Sequence, residues 1–427
     1  MKRLLIFSGI SILVLALILV GLTAAGTAPQ TTTSISGEPV AGDAHPNTPD
    51  GAGNVAAGNN RFAFDLYRQL AADPAYAGGN LFFSPYSISS ALAITYEGAR
   101  GTTADEIGAV LHLPTNDTLR REGFAALNAA LNRGSGNYTL RTANALWAEE
   151  TYSFLPDYID VAARWYGANV KNLDFISNPE GSRETINRWV EEQTEDRIPD
   201  LLPPNAIDPL TRLVITNAIY FKGTWAKQFD ANETREEEFR VGPNEMVLAP
   251  MMHGDAVYPY AETETLQVLE MPYAHESGNG LAMLVLLPKE DSLTAAEEAL
   301  DAERLAGLRE SLASQNVRVF FPKFTLDVGY SLPPALAAMG MPTAFAEGAA
   351  DLSGMDGTKD LFITGVFHKA FVDVNEEGTE AAAATGVIGG RGVTPVFRAD
   401  HPFVFLIVEK DSGMVLFIGR VVNPESP

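Results

Sequence analysis

The chain has 427 residues, of which 46% are hydrophobic, so it can bury a large core, and wholesale disorder is excluded. Its 54 acidic side chains outnumber 30 basic ones, and the resulting net charge of −24 disfavours nucleic acid and anionic lipid surfaces as partners. Cysteine is absent, which excludes disulfides, thiolate zinc sites and cysteine nucleophiles.

The N-terminus has the form of an export signal. Lys2 and Arg3 precede an apolar run, residues 4–25, that ends in small side chains. This pattern is typical of a secretory signal, but the run also has the ~20 residues that a membrane anchor needs. We therefore predict that residues 1–26 are a signal peptide or an anchor, with residues 4–25 as the tether in the second case. Either way the remaining chain is exported, and it is secreted or held on the outer face of the cytoplasmic membrane.

Residues 27–60 have a different composition from the rest of the chain. They consist largely of Thr, Gly, Ala, Pro and Asn, with no aromatic side chain and no Lys or Arg. Such a segment cannot offset the entropy cost of ordering, so we predict a flexible linker. The folded body is expected at residues 61–427.

Helical patterns dominate the first part of this body. Apolar residues recur at four-residue spacing over residues 61–72, which predicts an amphipathic helix. Residues 103–106 have the form of a capping box, which predicts that a second helix begins there. Further helices are predicted after Pro156 and around residues 186–190.

Strand patterns follow. Residues 213–221 are too apolar for a half-exposed strand and are placed centrally in a sheet. Residues 281–287 form another apolar run, and residues 317–328 contain Pro322, which indicates a bulge or an edge. Two runs near the C-terminus flank Lys410–Gly413, a hairpin turn signal. Mixed helices and strands of this kind indicate an α+β fold.

One long segment fits no ordinary element. Residues 366–374 alternate as a strand, and strand-like residues resume at 396, but residues 375–392 are mostly small. Loops of this length inside a compact domain are uncommon and are usually functional. A strand has a side-chain period of two, so one face of the segment would present only small or β-branched residues. These are Thr379, Ala381, Ala383, Thr385 and Val387. The segment could therefore lie outside the body or slide between existing strands.

Residues 375–385 resemble the hinge of the reactive-centre loop of serpins. Other segments resemble this family in the correct order, namely residues 80–88, 186–202, 217–225, 401–407 and 417–424. The resemblance implies an α+β fold with a single serpin-type domain. That domain would contain a large central mixed sheet, called sheet A, two further sheets, about eight or nine helices and an exposed reactive-centre loop at about residues 376–396.

The resemblance also implies a function. The chain would not be an enzyme but a suicide inhibitor, which forms a covalent acyl complex with a serine protease and traps it by inserting the cleaved loop into sheet A. It would act as a monomer and need neither a cofactor nor a metal ion. The residues implied for the hinge are Glu376, Glu377, Gly378, Thr379, Glu380, Ala381, Ala382, Ala383, Ala384 and Thr385.

Two further groups of residues follow from the resemblance. Ser84, Ser87, Asn217 and His368 would form the shutter, a polar network where sheet A opens. Trp225 would lie at the breach, where the loop first enters. Each position also has a simpler interpretation, because the serines could be helix N-caps, and His368 and Trp225 could be ordinary core residues.

The position of the reactive bond depends on how the loop is counted. Counting forward from Glu376 places it after Gly392, whereas counting back from Pro402 places it after Arg391. The specificity pocket of a protease gains more binding energy from the guanidinium of arginine, which makes charge-assisted hydrogen bonds, than from glycine. This difference favours Arg391–Gly392 as the reactive bond and a trypsin-like protease as the target. Attack at Val387 or Ile388 would instead indicate an elastase-like or subtilisin-like target.

Two other function classes remain as alternatives. A non-inhibitory serpin could act as a binding protein or a chaperone, but the small hinge residues favour inhibition. A peptidase would need a catalytic motif, and the sequence has no G-x-S-x-G elbow, no H-E-x-x-H and no Walker motif.

Overall fold

The structure is a computed structural model that describes residues 51–132, 138–275, 280–290, 292–379 and 394–426. The helices in these ranges are α1 Gly51–Ala72, α2 Pro85–Gly98, α3 Gly101–Val110, α4 Asp117–Asn132, α5 Pro156–Tyr166, α6 Pro179–Gln193, α7 Thr294–Glu298, α8 Ala302–Glu310, α9 Pro333–Met339 and α10 Ser353–Asp356. The predicted signal or anchor, residues 1–26, lies outside the described residues. Within those ranges, no helix combines the length and the apolar character needed to cross a membrane.

The strands complete an α+β body, as predicted. They are β1 Leu81–Phe83, β2 Tyr138–Glu149, β3 Asn169–Leu173, β4 Leu213–Thr224, β5 Arg235–Gly242, β6 Glu245–Glu262, β7 Leu266–Pro272, β8 Leu281–Pro288, β9 Ala313–Pro322, β10 Phe324–Ser331, β11 Gly365–Val374, β12 Gly378–Thr379, β13 Val396–Arg398, β14 Phe403–Glu409 and β15 Val415–Val421. The hairpin predicted at residues 410–413 joins β14 to β15.

The smaller sheet has six strands in the order β10-β11-β4-β2-β3, with β12 also paired to β4. It corresponds to the expected sheet A, and the apolar strand β4 is central in it, as predicted. β11 and β4 run parallel, from Gly365 opposite Val214 to Phe371 opposite Tyr220. We call this parallel pairing the seam. β11 is antiparallel to β10, and β4 is antiparallel to β2, so the seam joins two antiparallel halves.

The second sheet differs from the expectation of two further sheets. Hydrogen bonds join its nine strands into one sheet. The reason is β6, which has 18 residues and pairs with β5 at its start, β9 along its middle and β7 at its end. The described residues form ten helices, which agrees with the expected eight or nine, because α7 and α10 have only five and four residues.

The predicted linker is too long at its C-terminal end. α1 begins at Gly51, so residues 51–60 are helical and belong to the body. Val55 is buried, and the Asn59 side chain donates to the carbonyl of Val415 at 2.8 Å. A Cβ at Gly58 would lie 2.4 Å from the carbonyl oxygen of His112. Gly58 and Asn59 therefore allow close packing of α1, although the abundance of glycine and asparagine in residues 27–60 suggested a flexible linker.

Pro322 ends a strand rather than forming a bulge. β9 ends at Pro322 and lies in the nine-stranded sheet, whereas β10 starts at Phe324 and lies in the six-stranded one. The main core includes the fully buried strands β8, β14 and β15. A smaller core packs α6 and residues 198–207 onto the six-stranded sheet.

Candidate functional site

The four predicted shutter residues lie together at the seam. Asn217 on β4 and His368 on β11 are register partners, and both are buried. Ser84 and Ser87 reach them from the start of α2 and are also buried. Ser84 is the N-cap of this helix as well, because its Oγ accepts a hydrogen bond from the backbone N–H of Ser87 at 3.2 Å.

His368 is held in one tautomer. Its Nε2 accepts a hydrogen bond from the backbone N–H of Ser84 at 3.1 Å, so Nδ1 carries the proton and donates to Oδ1 of Asn217. Burial lowers the pKa of His368 to about 3, and the hydrogen bond with Asn217 offsets only part of this effect. The imidazole is therefore neutral at physiological pH.

Hydrogen bonds continue from His368 into the neighbouring strands. The Asn217 amide donates to Ser87 Oγ and to Oδ1 of Asn144. Ser87 Oγ also donates to Asn144 Oδ1 at 3.2 Å, and Ser84 Oγ donates to the carbonyl of Leu416 at 2.6 Å. Separating β4 from β11 breaks the His368–Asn217 bond, so the network must be exchanged whenever the seam opens.

Sequence reasoning missed Asn144. It lies on β2 directly opposite Asn217. The available signal was an asparagine inside the apolar run Ala-Asn-Ala-Leu-Trp, since an amide among apolar neighbours needs hydrogen-bond partners. We call Ser84, Ser87, Asn144, Asn217 and His368 the seam cluster.

The chain turns back on itself just beyond β11. The N–H of Asn375 donates to the carbonyl of Gly378 at 2.9 Å, and the N–H of Gly378 donates to the carbonyl of Asn375 at 3.2 Å. β12 then pairs antiparallel with β4, with Gly378 opposite Thr224 and Thr379 opposite Gly223. These hinge residues are thus already paired with β4, beyond Tyr220, the last β4 residue of the seam.

Glycine is required at position 378. Its φ is +140°, a conformation that side-chain-bearing residues rarely adopt. A Cβ there would lie 2.2 Å from the carbonyl oxygen of Gly223. The first hinge glycine therefore permits both the turn and the close approach to β4.

Trp225 packs against this turn. Its indole N–H donates to the carbonyl of Asn375, and its backbone N–H donates to the carbonyl of Glu377, both at 3.0 Å. Its ring stacks on Tyr273 with the centroids 4.5 Å apart. Trp225 is thus a buried core residue that also contacts the turn at the start of the hinge.

Glu376 anchors the turn, whereas Glu377 is exposed. Glu376 accepts a hydrogen bond from the Thr234 hydroxyl at 2.7 Å and pairs with Lys323 at 2.8 Å. Burial would raise the pKa of Glu376, but Lys323 and Thr234 outweigh burial and hold this pKa below its usual value.

The remaining predicted site residues cannot be placed in the fold. The hinge residues 380–385 and the predicted reactive bond Arg391–Gly392 lie outside the described residues. Beyond them, β13 pairs parallel with β9 and fixes the C-terminal side of the loop. The Arg398 guanidinium holds β13 through Glu237 at 2.5 Å and lies 3.6 Å above the Phe320 ring.

Comparisons with known proteins agree with this architecture. The family model described as Serpin (serine protease inhibitor) matches residues 57–424. An uncharacterized serpin-like protein of Thermococcus kodakarensis is 43% identical over 373 residues, which cover 86% of this chain and 85% of that protein. The leukocyte elastase inhibitor of Bos taurus is also 43% identical, over 87% of this chain and 99% of its own length.

Solved structures show the same fold. Uncleaved ovalbumin superposes with a TM-score of 0.78 at 31% identity, covering 87% of this chain and all of its own. Human thyroxine-binding globulin complexed with thyroxine gives a TM-score of 0.80 at 30% identity, covering 88% of this chain. The chain therefore belongs to the serpin family, whose family model carries the description serine protease inhibitor.

Proposed function

We propose that this serpin inhibits extracytoplasmic serine proteases of the trypsin-like class and traps them as acyl-enzymes. The observation that carries the proposal is the pairing of Gly378 and Thr379 with β4. Because the start of the hinge is already a strand of the sheet, insertion of the cleaved loop would extend an existing pairing.

The register of β12 supports this path. Thr379 lies opposite Gly223, so each further loop residue would pair with the preceding residue of β4. Gly389 would then reach Leu213, the first residue of β4, and Arg391 would leave the sheet just beyond it. β4 has 12 residues, which is about 40 Å of strand at ~3.3 Å per residue. A protease acylated at Arg391 would be carried across that distance.

The geometry of the seam supplies a driving force. The inserted strand would be antiparallel to β4, as β12 is, and would replace one parallel pairing with two antiparallel ones. Parallel pairing is slightly less stable per residue. Insertion would also bury the small face that begins at Thr379. The uncut fold would then persist because a kinetic barrier separates it from the more stable inserted form. Addition of the loop as a new strand after cleavage would convert it to that form.

The chemistry of trapping requires one bond to break. The protease serine attacks the carbonyl carbon of Arg391, the bond to Gly392 breaks, and the new amine of Gly392 leaves with a proton. Water must then hydrolyse the ester to free the enzyme. Insertion competes with that second step by carrying the acyl-enzyme away and distorting its active site.

The relatives favour a second candidate target. Several proteins that match this chain over most of their length are leukocyte elastase inhibitors, including that of Bos taurus at 43% identity. An elastase-like enzyme would attack at Val387 or Ile388. In the same register Val387 would lie opposite Ile215, so insertion would stop short of the end of β4.

A non-inhibitory role is the remaining alternative. One structural neighbour is a thyroxine-binding globulin, so a serpin fold can also serve binding. The alanine-rich hinge after Gly378 favours inhibition here, because small side chains can enter the seam at little steric cost.

The proposed location and assembly rest on the sequence alone. Residues 1–26 support export, with secretion or a membrane tether through residues 4–25. The net charge of −24 argues against nucleic acid as a partner, and we propose a monomer that forms a covalent complex with its protease.

Incubation with trypsin, and separately with elastase, tests the proposal. The expected result is a trypsin complex that survives SDS, together with a released C-terminal peptide that begins at Gly392. A complex with elastase and a peptide that begins at Ile388 or Gly389 would support the second candidate. Cleavage by both enzymes without any complex would support the non-inhibitory alternative.

A further inference from the structure

A cleft of about 510 Å³ lies between α1, the end of α3 and the end of α9. Small-molecule sites in proteins typically have volumes of ~300–1,000 Å³, so this cleft has room for a small organic molecule. Its described lining contains no residue of the seam cluster, the hinge or β13. The proposed inhibition therefore makes no use of this cleft.

Two walls of the cleft are apolar. One is the last turn of α3, with Ala109 and Val110, and the other is the end of α9, with Met339 and Gly340. Gly340 has a φ of +122°, and a Cβ there would lie 3.7 Å from the Val110 side chain, so the two helix ends adjoin. The sequence of α9 contains no charged residue. These walls can cover the apolar body of a ligand.

The third wall is polar and comes from α1. Asp65, Arg68 and Gln69 share one face of this helix because they are three and four residues apart. Asp65 is engaged through both carboxylate oxygens, because Oδ1 accepts from Arg68 at 2.9 Å and Oδ2 pairs with His112 Nε2 at 2.8 Å. A cationic ligand would therefore have to displace a basic side chain from Asp65.

Hydrogen-bond donors remain on the same wall. Arg68 also donates to the carbonyl of Leu300 at 2.7 Å, so contacts with the described residues use two of its five guanidinium N–H groups. These two contacts orient the guanidinium, although the side chain is still 54% exposed. The Gln69 amide lies beside it and makes no hydrogen bond within the described part of the chain. The wall thus offers free donors to an anion.

His112 has a backbone conformation that is uncommon for a residue with a side chain. Its φ is +50°, and a Cβ at Gly58 would lie only 2.4 Å from its carbonyl oxygen. Residues in such conformations persist where the surrounding structure fixes them, and they cluster at binding sites. Here the conformation accompanies the contact with Asp65. Because His112 shares this carboxylate with Arg68, the guanidinium is less fully neutralised.

We propose that this cleft binds a small organic carboxylate with a short aliphatic or aromatic body. The carboxylate would accept charge-assisted hydrogen bonds from Arg68 and the Gln69 amide. The apolar body would pack on Val110 and Met339. A neutral ligand of the same shape would lack the charge-assisted bonds, and a cation would meet Arg68 with a like charge.

Calorimetric titration of the full chain with hexanoate and phenylacetate tests the site. The matched neutral probes are hexanamide and phenylacetamide, and the matched cation is hexylamine. We expect saturable binding of at least one carboxylate, and binding at least about tenfold weaker for its amide and for the amine, because both lack the charge-assisted bonds. The carboxylate should also raise the thermal midpoint saturably, because a ligand that binds only the folded chain stabilises it.

Two variants locate the binding. Arg68→Gln should weaken binding of the carboxylate about tenfold or more and leave the binding of its amide nearly unchanged. Arg61→Gln is the matched control, because Arg61 is exposed on the same helix outside the lining. Ala109→Trp should fill the cleft and abolish binding of every probe, whereas Ala338→Trp places the same ring at an exposed position of α9 outside the lining. Arg68 is exposed, so Arg68→Gln should fold even if Ala109→Trp does not.

The proposal is overturned if no carboxylate binds saturably, if an amide or hexylamine binds as tightly as the carboxylate, or if Arg68→Gln or Ala109→Trp binds the carboxylate like the parent. Trapping of trypsin is not a readout of this site. A protein that binds the carboxylate but does not trap trypsin would refute the proposed function alone. A protein that traps trypsin but binds no carboxylate would refute the cleft site alone.

Discussion

His368 shows how one buried residue can make the seam sensitive to pH. Its imidazole accepts from Ser84 and donates to Asn217 only in the neutral form. A second proton would have no acceptor and would charge a side chain that is 0% exposed. The fold therefore selects the neutral ring, and acidification works against the closed seam.

The sign of the pH effect follows from the pKa of His368, about 3 in the folded protein against an ordinary value near 6.5. Between these values the unfolded chain binds a proton that the folded chain does not, so stability falls as the pH drops below ~6.5. The loss approaches ~1.4 kcal/mol per pH unit, or roughly 2 kcal/mol at pH 5. We expect His368→Gln to show a smaller drop in thermal midpoint between pH 7 and pH 5 than the parent.

The control for this comparison is His275→Gln, which removes an exposed histidine and should keep the parent's pH dependence. A His368→Gln variant with the same pH dependence as the parent would show that His368 is not the titrating group.

Arg391 is the residue on which the proposed target class depends. Arg391→Ala should reduce trapping of trypsin by about 100-fold or more, because two charge-assisted hydrogen bonds in the protease pocket contribute roughly 1.5–3 kcal/mol each. Its thermal midpoint should equal that of the parent. Gly392→Ala is the matched control and should still trap trypsin at the same bond. Trapping that survives Arg391→Ala but is lost in Gly392→Ala would place the reactive bond after Gly392.

For single helices and strands, the sequence patterns predicted the type of element better than the residues at which it begins and ends. The amphipathic pattern at residues 61–72 correctly predicted a helix, but α1 begins ten residues earlier, at Gly51. The glycines of these first residues allow close packing against neighbouring segments, and composition alone cannot reveal such packing. The capping box at residues 103–106 is not a cap. α3 begins at Gly101, the Thr103 hydroxyl instead accepts from the N–H of Asp351, and Glu106 accepts from Thr343. The Thr103 and Glu106 side chains therefore bind residues far along the chain instead of capping the helix.

The seam cluster was predictable only in part. Four of its members follow from the resemblance to serpins, and the strand at residues 366–374 was visible as an alternating pattern. Asn144 depends on the register that places β2 beside β4, and register is a property of the assembled sheet. The pairing of Gly378 with β4 likewise depends on a turn that only the folded chain shows.

The hinge can be tested one face at a time. Thr379 is already paired with Gly223, so a change there would also perturb the uncut protein. Ala381 is the next residue on the face that begins at Thr379. An arginine there would have to shed water without a partner, at a cost of several kcal/mol, and each ~1.4 kcal/mol added to the insertion barrier shifts the outcome about tenfold towards hydrolysis. Ala381→Arg should therefore be cleaved at the same bond yet release active trypsin.

Ala382→Arg is the control for this variant, because Ala382 would lie on the opposite face of the inserted strand. It should trap trypsin much more efficiently than Ala381→Arg, as judged by the stoichiometry of inhibition and by SDS-resistant complex. Equal trapping by both variants would count against insertion in the register of β12.

At the scale of the whole molecule, the proposed mechanism requires that the uncut fold is not the most stable arrangement of the chain. β4 and β11 are held together by a parallel seam and a buried polar cluster, and an antiparallel strand has begun to form above them. The resemblance predicted a central mixed sheet of this kind. It did not predict that the other strands form one continuous sheet, because that depends on the length of β6.

On the proposed mechanism the cleaved loop becomes a strand between β4 and β11, which the thermal midpoint after a single cut at Arg391 can reveal. A single nick in an ordinary loop leaves the midpoint unchanged or lowers it. Here the thermal midpoint of the nicked protein is expected to rise well above that of the uncut protein. Nicked Ala381→Arg, in which insertion is blocked, should show no such rise. A thermal midpoint that is unchanged or lower after the cut in the parent protein would contradict insertion of the loop.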